Sequence, residues 1–231
     1  MNKRQMFDEL ILEMGKCDKC MNLSCGKKSL INIYQDFHFC TNIPSIWTDW
    51  YSRLQSNIMI IGQDWGPFQD MEILNRSLFP DKSNWKELME SEKSNTKKML
   101  SHYIWNSSKE KYSLEDCFIT NAIMCARRGE HYRGDNIDLK KSTLSCREYL
   151  HRQIEIVKPK VILTLGYYPL LSLSHIFHFP IEKTLKETIQ KTPEILVHRF
   201  IIIPLYHPVA QVSKSIQMGQ YDRIWKYLPW N

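Results

Sequence analysis

No stretch of this 231-residue chain approaches the roughly 20 consecutive apolar residues that span a bilayer, so no membrane helix is expected. The opening Met1-Asn2-Lys3-Arg4-Gln5-Met6 has no signal-peptide pattern and leads into an amphipathic helix. Seven cysteines, an odd set without such a leader, do not suit a secreted disulfide scaffold. Reduced thiols in the cytoplasm are the expectation, and clustered cysteines then raise the question of metal. Internal repeats, low-complexity tracts and a clear linker are also lacking, which leaves one domain over residues 1–231. Nor is the charge strongly one-signed. The 31 Lys+Arg against 25 Asp+Glu give a formal +6, compatible with a polyanionic partner but not diagnostic of one.

What the chain does contain is a set of short, continuously apolar runs. Ile58-Met59-Ile60-Ile61 reads as a strand buried on both faces, and it ends in Gly62-Gln63-Asp64-Trp65-Gly66-Pro67. Cys117–Cys125 is a second such run and carries Thr120-Asn121. Residues 161–166 form a third, and 198–204 a fourth that continues into Tyr206-His207-Pro208. Between them, helical spacing is predicted over residues 3–15 and 84–105, the latter broken near Ser94-Asn95. Further helices are predicted from Lys140 to Val157, from Tyr168 to Phe177, and in a final stretch holding Ile216, Tyr221, Ile224, Trp225 and Leu228. Strands alternating with helices imply crossover connections. The predicted fold is α/β, a three-layer α/β/α domain around a mainly parallel four-stranded sheet. Residues 26–57 have no assignable role.

In a parallel sheet the polar strand ends converge on one rim, where ligands of open α/β folds collect. That rim would hold the Asp64 carboxylate, the Asn121 amide and the His207 imidazole. Taken singly, these read as a turn residue, a strand-end cap and a loop histidine. An amide suits the edge of a nucleobase. An imidazole N–H suits an oxygen that gains charge, and a carboxylate suits water or an oxocarbenium-like sugar. Gly62 and Gly66 would let the backbone turn and approach a ligand. The basic loop Arg127-Arg128-Gly129-Glu130-His131-Tyr132-Arg133 could hold a phosphate backbone or be a solvated charge cluster. Cys17-Asp18-Lys19-Cys20 is a CxxC hook that needs two further ligands, with Cys25, Cys40, Cys117, Cys125 and Cys146 as candidates.

Together these pieces, from Cys17-x-x-Cys20 through Ile58–Pro67, Phe118–Cys125 and Cys146–Gly166 to Ile201–Ala210, resemble the uracil-DNA glycosylase superfamily. The chain looks closest to the iron–sulfur families 4 and 5. The resemblance implies a monomeric enzyme that flips a base out of DNA and hydrolyses its glycosidic bond. It implies a 4Fe–4S cluster on Cys17, Cys20, Cys125 and Cys146, with Cys117 left as a core thiol. Asp64 would position water, His207 would stabilise the departing base anion, and Asn121 would read the base edge, with Gly62, Gln63, Trp65 and Gly66 also lining the base site. Phe79, better spaced than Phe68, would stack on the base. Gln211, Ser213 and Lys214 match the loop that grips DNA, with Arg127 and Arg128 as further phosphate contacts.

The departures from that pattern concern specificity. Families 4 and 5 carry a motif similar to Gly-Glu-Ala-Pro-Gly, whereas Gln63-Asp64 resembles family 1. There a Tyr two residues after the Asp excludes thymine; here that place is Gly66, and Trp65 stands where a Pro is usual. A bulky C5-modified pyrimidine is therefore an alternative substrate to uracil. A non-catalytic DNA-sensing protein on the same fold, and an unrelated Cys₄ zinc protein, are the other readings.

Overall fold

A computed structural model describes residues 1–20, 30–32, 50–66, 94–127 and 139–228. Helix α1 (Lys3–Gly15) starts at Asn2, whose side chain accepts the Gln5 N–H at 2.9 Å while the Gln5 side chain accepts the Asn2 N–H at 3.0 Å. This reciprocal box satisfies two otherwise orphaned donors. The helix buries Phe7, Leu10, Ile11 and Met14. After the two-residue strand β1 (Leu30–Ile31) come β2 (Ile58–Gly62), α2 (Asn95–Ser107) and β3 (Cys117–Asn121). Strand β4 (Ala126–Arg127) pairs antiparallel with β1 and ties the N-terminal segment to the turn beyond β3. Then follow α3 (Leu139–Val157), β5 (Val161–Leu165), α4 (Tyr167–Phe177), α5 (Leu185–Lys191), β6 (Ile195–Val197), β7 (Phe200–Leu205) and α6 (Lys214–Tyr221).

The main sheet has the order β3-β2-β5-β7-β6. Strands β3, β2, β5 and β7 are parallel, and β6 lies antiparallel on the edge beside β7. Among the described residues the sheet thus holds the predicted parallel four and a fifth, antiparallel edge strand. Strand β6 escapes a sequence reading because it is three residues long and exposes Leu196 between Ile195 and Val197. The predicted fourth strand also starts later, at Phe200, because His198 takes a φ of 46° in the β6–β7 turn. The expected C-terminal helix divides into α6 and a 3₁₀ turn, Ile224–Lys226. Part of the helix predicted over 84–105 lies outside the described residues; its second half is α2, capped by Ser94.

Alternation along the strands builds two cores. Met59, Ile61, Phe118, Ile162 and Ile202 face α1, α3 and α4. Ile58, Ile60, Ile119, Leu163 and Ile203 face α2 and α6. The three layers match the predicted α/β/α arrangement. Two sets of side-chain-to-backbone bonds join the elements. Trp50 Nε1 donates to Ile119 O at 2.6 Å, capping a carbonyl on the outer strand β3. Lys3 Nζ donates at 2.8 Å to both Leu54 O and Val157 O, placing a cation on the C-terminus of α3. Among the described residues no helix is long and apolar enough to cross a membrane.

Candidate active site and cysteine cluster

The C-terminal ends of β2, β3, β5 and β7 share one rim, and three of the predicted polar residues stand on it. Gly62 and Asn121 are paired across the β2–β3 ladder. A Cβ at position 62 would lie 2.4 Å from Asn121 Oδ1, so glycine is what lets the amide fold over the end of β2. Asn121 is buried, and its side chain makes no hydrogen bond among the described residues. The chain beyond β2 is held by two further bonds: Ala122 N–H donates to Gly62 O at 2.9 Å, and Ile123 N–H to Gln63 O at 2.8 Å.

Asp64 is fixed from both sides. Its Oδ1 accepts the Gly66 N–H at 2.8 Å, and its Oδ2 accepts from Gln63 Nε2 at 2.8 Å. Gly66 holds a φ of 81°, a left-handed turn that favours glycine and brings its N–H back to the carboxylate. Together the two bonds fix the orientation of the carboxylate. Trp65 points elsewhere. Its ring lies 5.6 Å from that of Trp50, which in turn stacks on Phe118 at 5.9 Å, and it packs against the apolar core. The indole N–H is buried without a partner among the described residues.

His207 follows β7 and is half-buried. Burial lowers its pKa from the ordinary 6.5, and the facing Asp64 carboxylate partly opposes that shift. The imidazole is therefore neutral at pH 7, with one N–H to donate. Two glutamines that the sequence reading passed over hold its loop. Gln220 Oε1 accepts the Tyr206 N–H at 3.3 Å, and Gln217 Nε2 lies 3.4 Å from the carbonyls of Ala210 and Val212. Their spacing of three on α6 aims both at the body, but polar residues at that spacing read equally well as a wet helix face. Gln211, Ser213 and Lys214 are exposed between His207 and α6, and Ser213 caps that helix. Arg127 ends β4. Phe79 and Arg128 lie outside the described residues.

The cysteine pattern converges as well. Cys17 and Cys20 follow α1, Cys125 precedes β4, and Cys146 sits on the buried face of α3. All four are free, and Cys20, Cys125 and Cys146 are buried. The neighbouring Cys125 and Cys146 thiols pull the Cys20 thiol down to about 3. Those two are pushed up in consequence, with burial adding to the effect. Cys17 lies within electrostatic reach of both. Asn32, also unforeseen, clamps the turn into the hook by donating to the carbonyls of Met14, Gly15 and Cys17 at 2.9, 3.2 and 3.0 Å. Lys19 closes the outer side, 2.8 Å from Glu148 and 4.9 Å over the Tyr149 ring. Among the described residues no three His, Cys, Asp or Glu side chains are arranged to hold a single metal ion. The donor set itself, four free thiols in mutual electrostatic contact, has the chemistry of an iron–sulfur or zinc site. Cys117 is apart from it, buried in the opposite core with its thiol pushed up by desolvation.

Comparison with known proteins gives two findings. The family model for the uracil DNA glycosylase superfamily matches residues 48–229. The chain is 36% identical over 104 residues to the type-4 uracil-DNA glycosylase of Saccharolobus solfataricus (strain ATCC 35092 / DSM 1617 / JCM 11322 / P2). That match takes in 42% of this chain and 44% of the relative, so the chain spans less than half the length of that protein.

Proposed function

The chain belongs to the uracil DNA glycosylase superfamily, and from that premise we propose that it hydrolyses the N-glycosidic bond of uracil in DNA. The observation that carries the proposal is the facing of a fixed Asp64 carboxylate and a neutral His207, with the Asn121 amide on the same rim. The target base leaves the stack and enters at the ends of β2, β3 and β7. Asn121 offers a donor and an acceptor to its edge. The C1′–N bond breaks with its electron pair going to the base, the oxygen of water bonds to C1′, and the proton that the water loses passes by way of the Asp64 carboxylate to solvent. Asp64 orientates that water and offsets positive charge on the sugar. His207 donates its N–H to the base oxygen that gains charge. No lysine occupies a motif position for Schiff-base chemistry.

Phe79 stacks on the base in this reading, while Arg127, Arg128, Gln211, Ser213 and Lys214 engage the phosphate backbone. Cys17, Cys20, Cys125 and Cys146 fit a 4Fe–4S cluster by donor chemistry and by their convergence. Such a cluster supplies a cross-link among thiolates, joining the segment after α1 to β4 and α3. Burial of three of the four cysteines supports a structural role.

A second reading concerns the base. Gly66 presents no side chain where a thymine-excluding Tyr stands in family 1, and its φ of 81° commits it to holding Asp64. Without that Tyr gate, a pyrimidine with a larger C5 substituent is a second candidate substrate. The discriminating experiment is release of free base from otherwise identical oligonucleotides containing uracil, 5-hydroxymethylcytosine or glucosylated cytosine. Uracil release alone removes the second reading. Binding without abasic product from any of them removes the glycosylase reading in favour of a sensing protein.

A further inference from the structure

Strand β5 lies between β2 and β7 in the sheet, so the turn at its C-terminal end stands in the middle of the rim, flanked by the strand that leads to Asp64 and the one that leads to His207. That turn is Gly166-Tyr167-Tyr168-Pro169. Gly166 reverses the chain with a φ of 101°, and its N–H donates to Leu205 O at 3.0 Å, pinning the turn to the end of β7. Tyr167 and Tyr168 are the first two residues of α4. Side chains on a helix tilt toward its N-terminus, so both rings lean back to the rim rather than along the helix.

The surroundings make this pair unusual. Val161 to Leu165 are wholly buried, and so are Pro169, Leu170 and Leu171. Between those buried runs the two tyrosines remain half-exposed, with their rings edge to face at 6.0 Å. Neither phenol has a hydrogen-bond partner among the described residues. Two large, part-exposed rings with untethered hydroxyls, at the rim that carries Asp64 and His207, have the chemistry of a base-stacking surface.

Resting on the glycosylase reading, we propose that Tyr167 and Tyr168 stack unpaired bases flanking the target nucleotide, and so favour single-stranded over duplex DNA. A duplex keeps its flanking bases paired and stacked on one another, and offers no free face to the rings. Stacking accepts any base, so the surface adds affinity without adding sequence preference.

The test uses full-length protein and a fluorescent uracil-containing oligonucleotide, single-stranded or annealed, with binding read by anisotropy. It compares wild type with the double variants Tyr167→Phe/Tyr168→Phe and Tyr167→Leu/Tyr168→Leu; the single leucine variants replace the latter if it does not fold. The leucine variant is expected to bind single strands at least about fivefold more weakly, the lower end of what losing one base–aromatic stack removes. Its duplex affinity should change little, and the phenylalanine variant should bind as wild type does. Unchanged single-strand binding by the leucine variant overturns the proposal, as does an equal loss in both variants. Wild-type protein that binds neither form of DNA removes the glycosylase reading itself, a different result from either.

Discussion

Gly62→Ala is the substitution whose consequence can be worked most directly from the geometry. The added methyl would sit 2.4 Å from Asn121 Oδ1, about 1 Å inside ordinary contact, while the next neighbours, Asn121 Cγ and Thr120 O, are at 3.6 and 3.8 Å. The conflict is therefore with the end of one side chain. Because Asn121 is buried, that side chain has little space to retreat. Overpacking of this kind costs about 1–3 kcal/mol, or a melting temperature lower by roughly 2–4 °C per kcal/mol in a protein of this size. The displaced amide also loses the base edge, so excision should fall at least tenfold, mainly through kcat/KM. The decisive assay is a double-mutant cycle with Asn121→Ala, following both melting and uracil excision. In the Asn121→Ala background the clash has no partner, so adding Gly62→Ala should change either quantity by less than about 0.5 kcal/mol. Fully additive effects, or a Gly62→Ala protein with wild-type excision, would refute the reasoning.

Three further outcomes are expected. His207 is held neutral by burial, so the acid limb of kcat/KM should fall below pH 6.5, and activity should persist as pH drops through that value. The same depressed pKa means the unfolded chain takes up this proton first, so the His207 contribution to stability declines as pH falls below 6.5; an acid limb above 6.5 would contradict the placement. Cys125→Ser or Cys146→Ser should remove absorbance near 400 nm and iron content from purified protein and lower its melting temperature, whereas Cys117→Ser should leave the absorbance intact. A colourless wild-type protein containing zinc would replace the cluster with a Cys₄ zinc site. Trp65→Ala removes the ring that anchors the Asp64 turn on Trp50, and should lower kcat several-fold with little change in KM; a selective rise in KM would instead place Trp65 against the substrate.

The layers and the rim were legible because they rest on burial that sequence displays. Ile58–Gly62 is apolar throughout, and Val161–Leu165 is broken only by Thr164, because helices cover both faces of their strands. The inner-face position of Cys146 on α3 is legible because Thr143, Leu150, Ile154 and Val157 share its helical stripe. Strand β6 was not legible, since three residues alternating about an exposed Leu196 look like any loop. The direction of Trp65 was hidden for another reason: it is set by Trp50, in a segment without a readable period. Asn32, Gln217 and Gln220 act through backbone carbonyls and amides, and such partners leave no pattern in the side-chain sequence.

The central claim is that Asp64 and His207 carry out base excision, and single-turnover kinetics test it most directly. Uracil-containing single strands, with enzyme in excess, are followed for abasic product with wild type, Asp64→Asn and His207→Ala. DNA affinity is measured in parallel. Loss of one donor to a developing anion costs about 2.7–4 kcal/mol, so His207→Ala should be slower by roughly 10²–10³, and Asp64→Asn by a comparable factor, with binding largely retained. Wild-type rates in both variants would contradict the account.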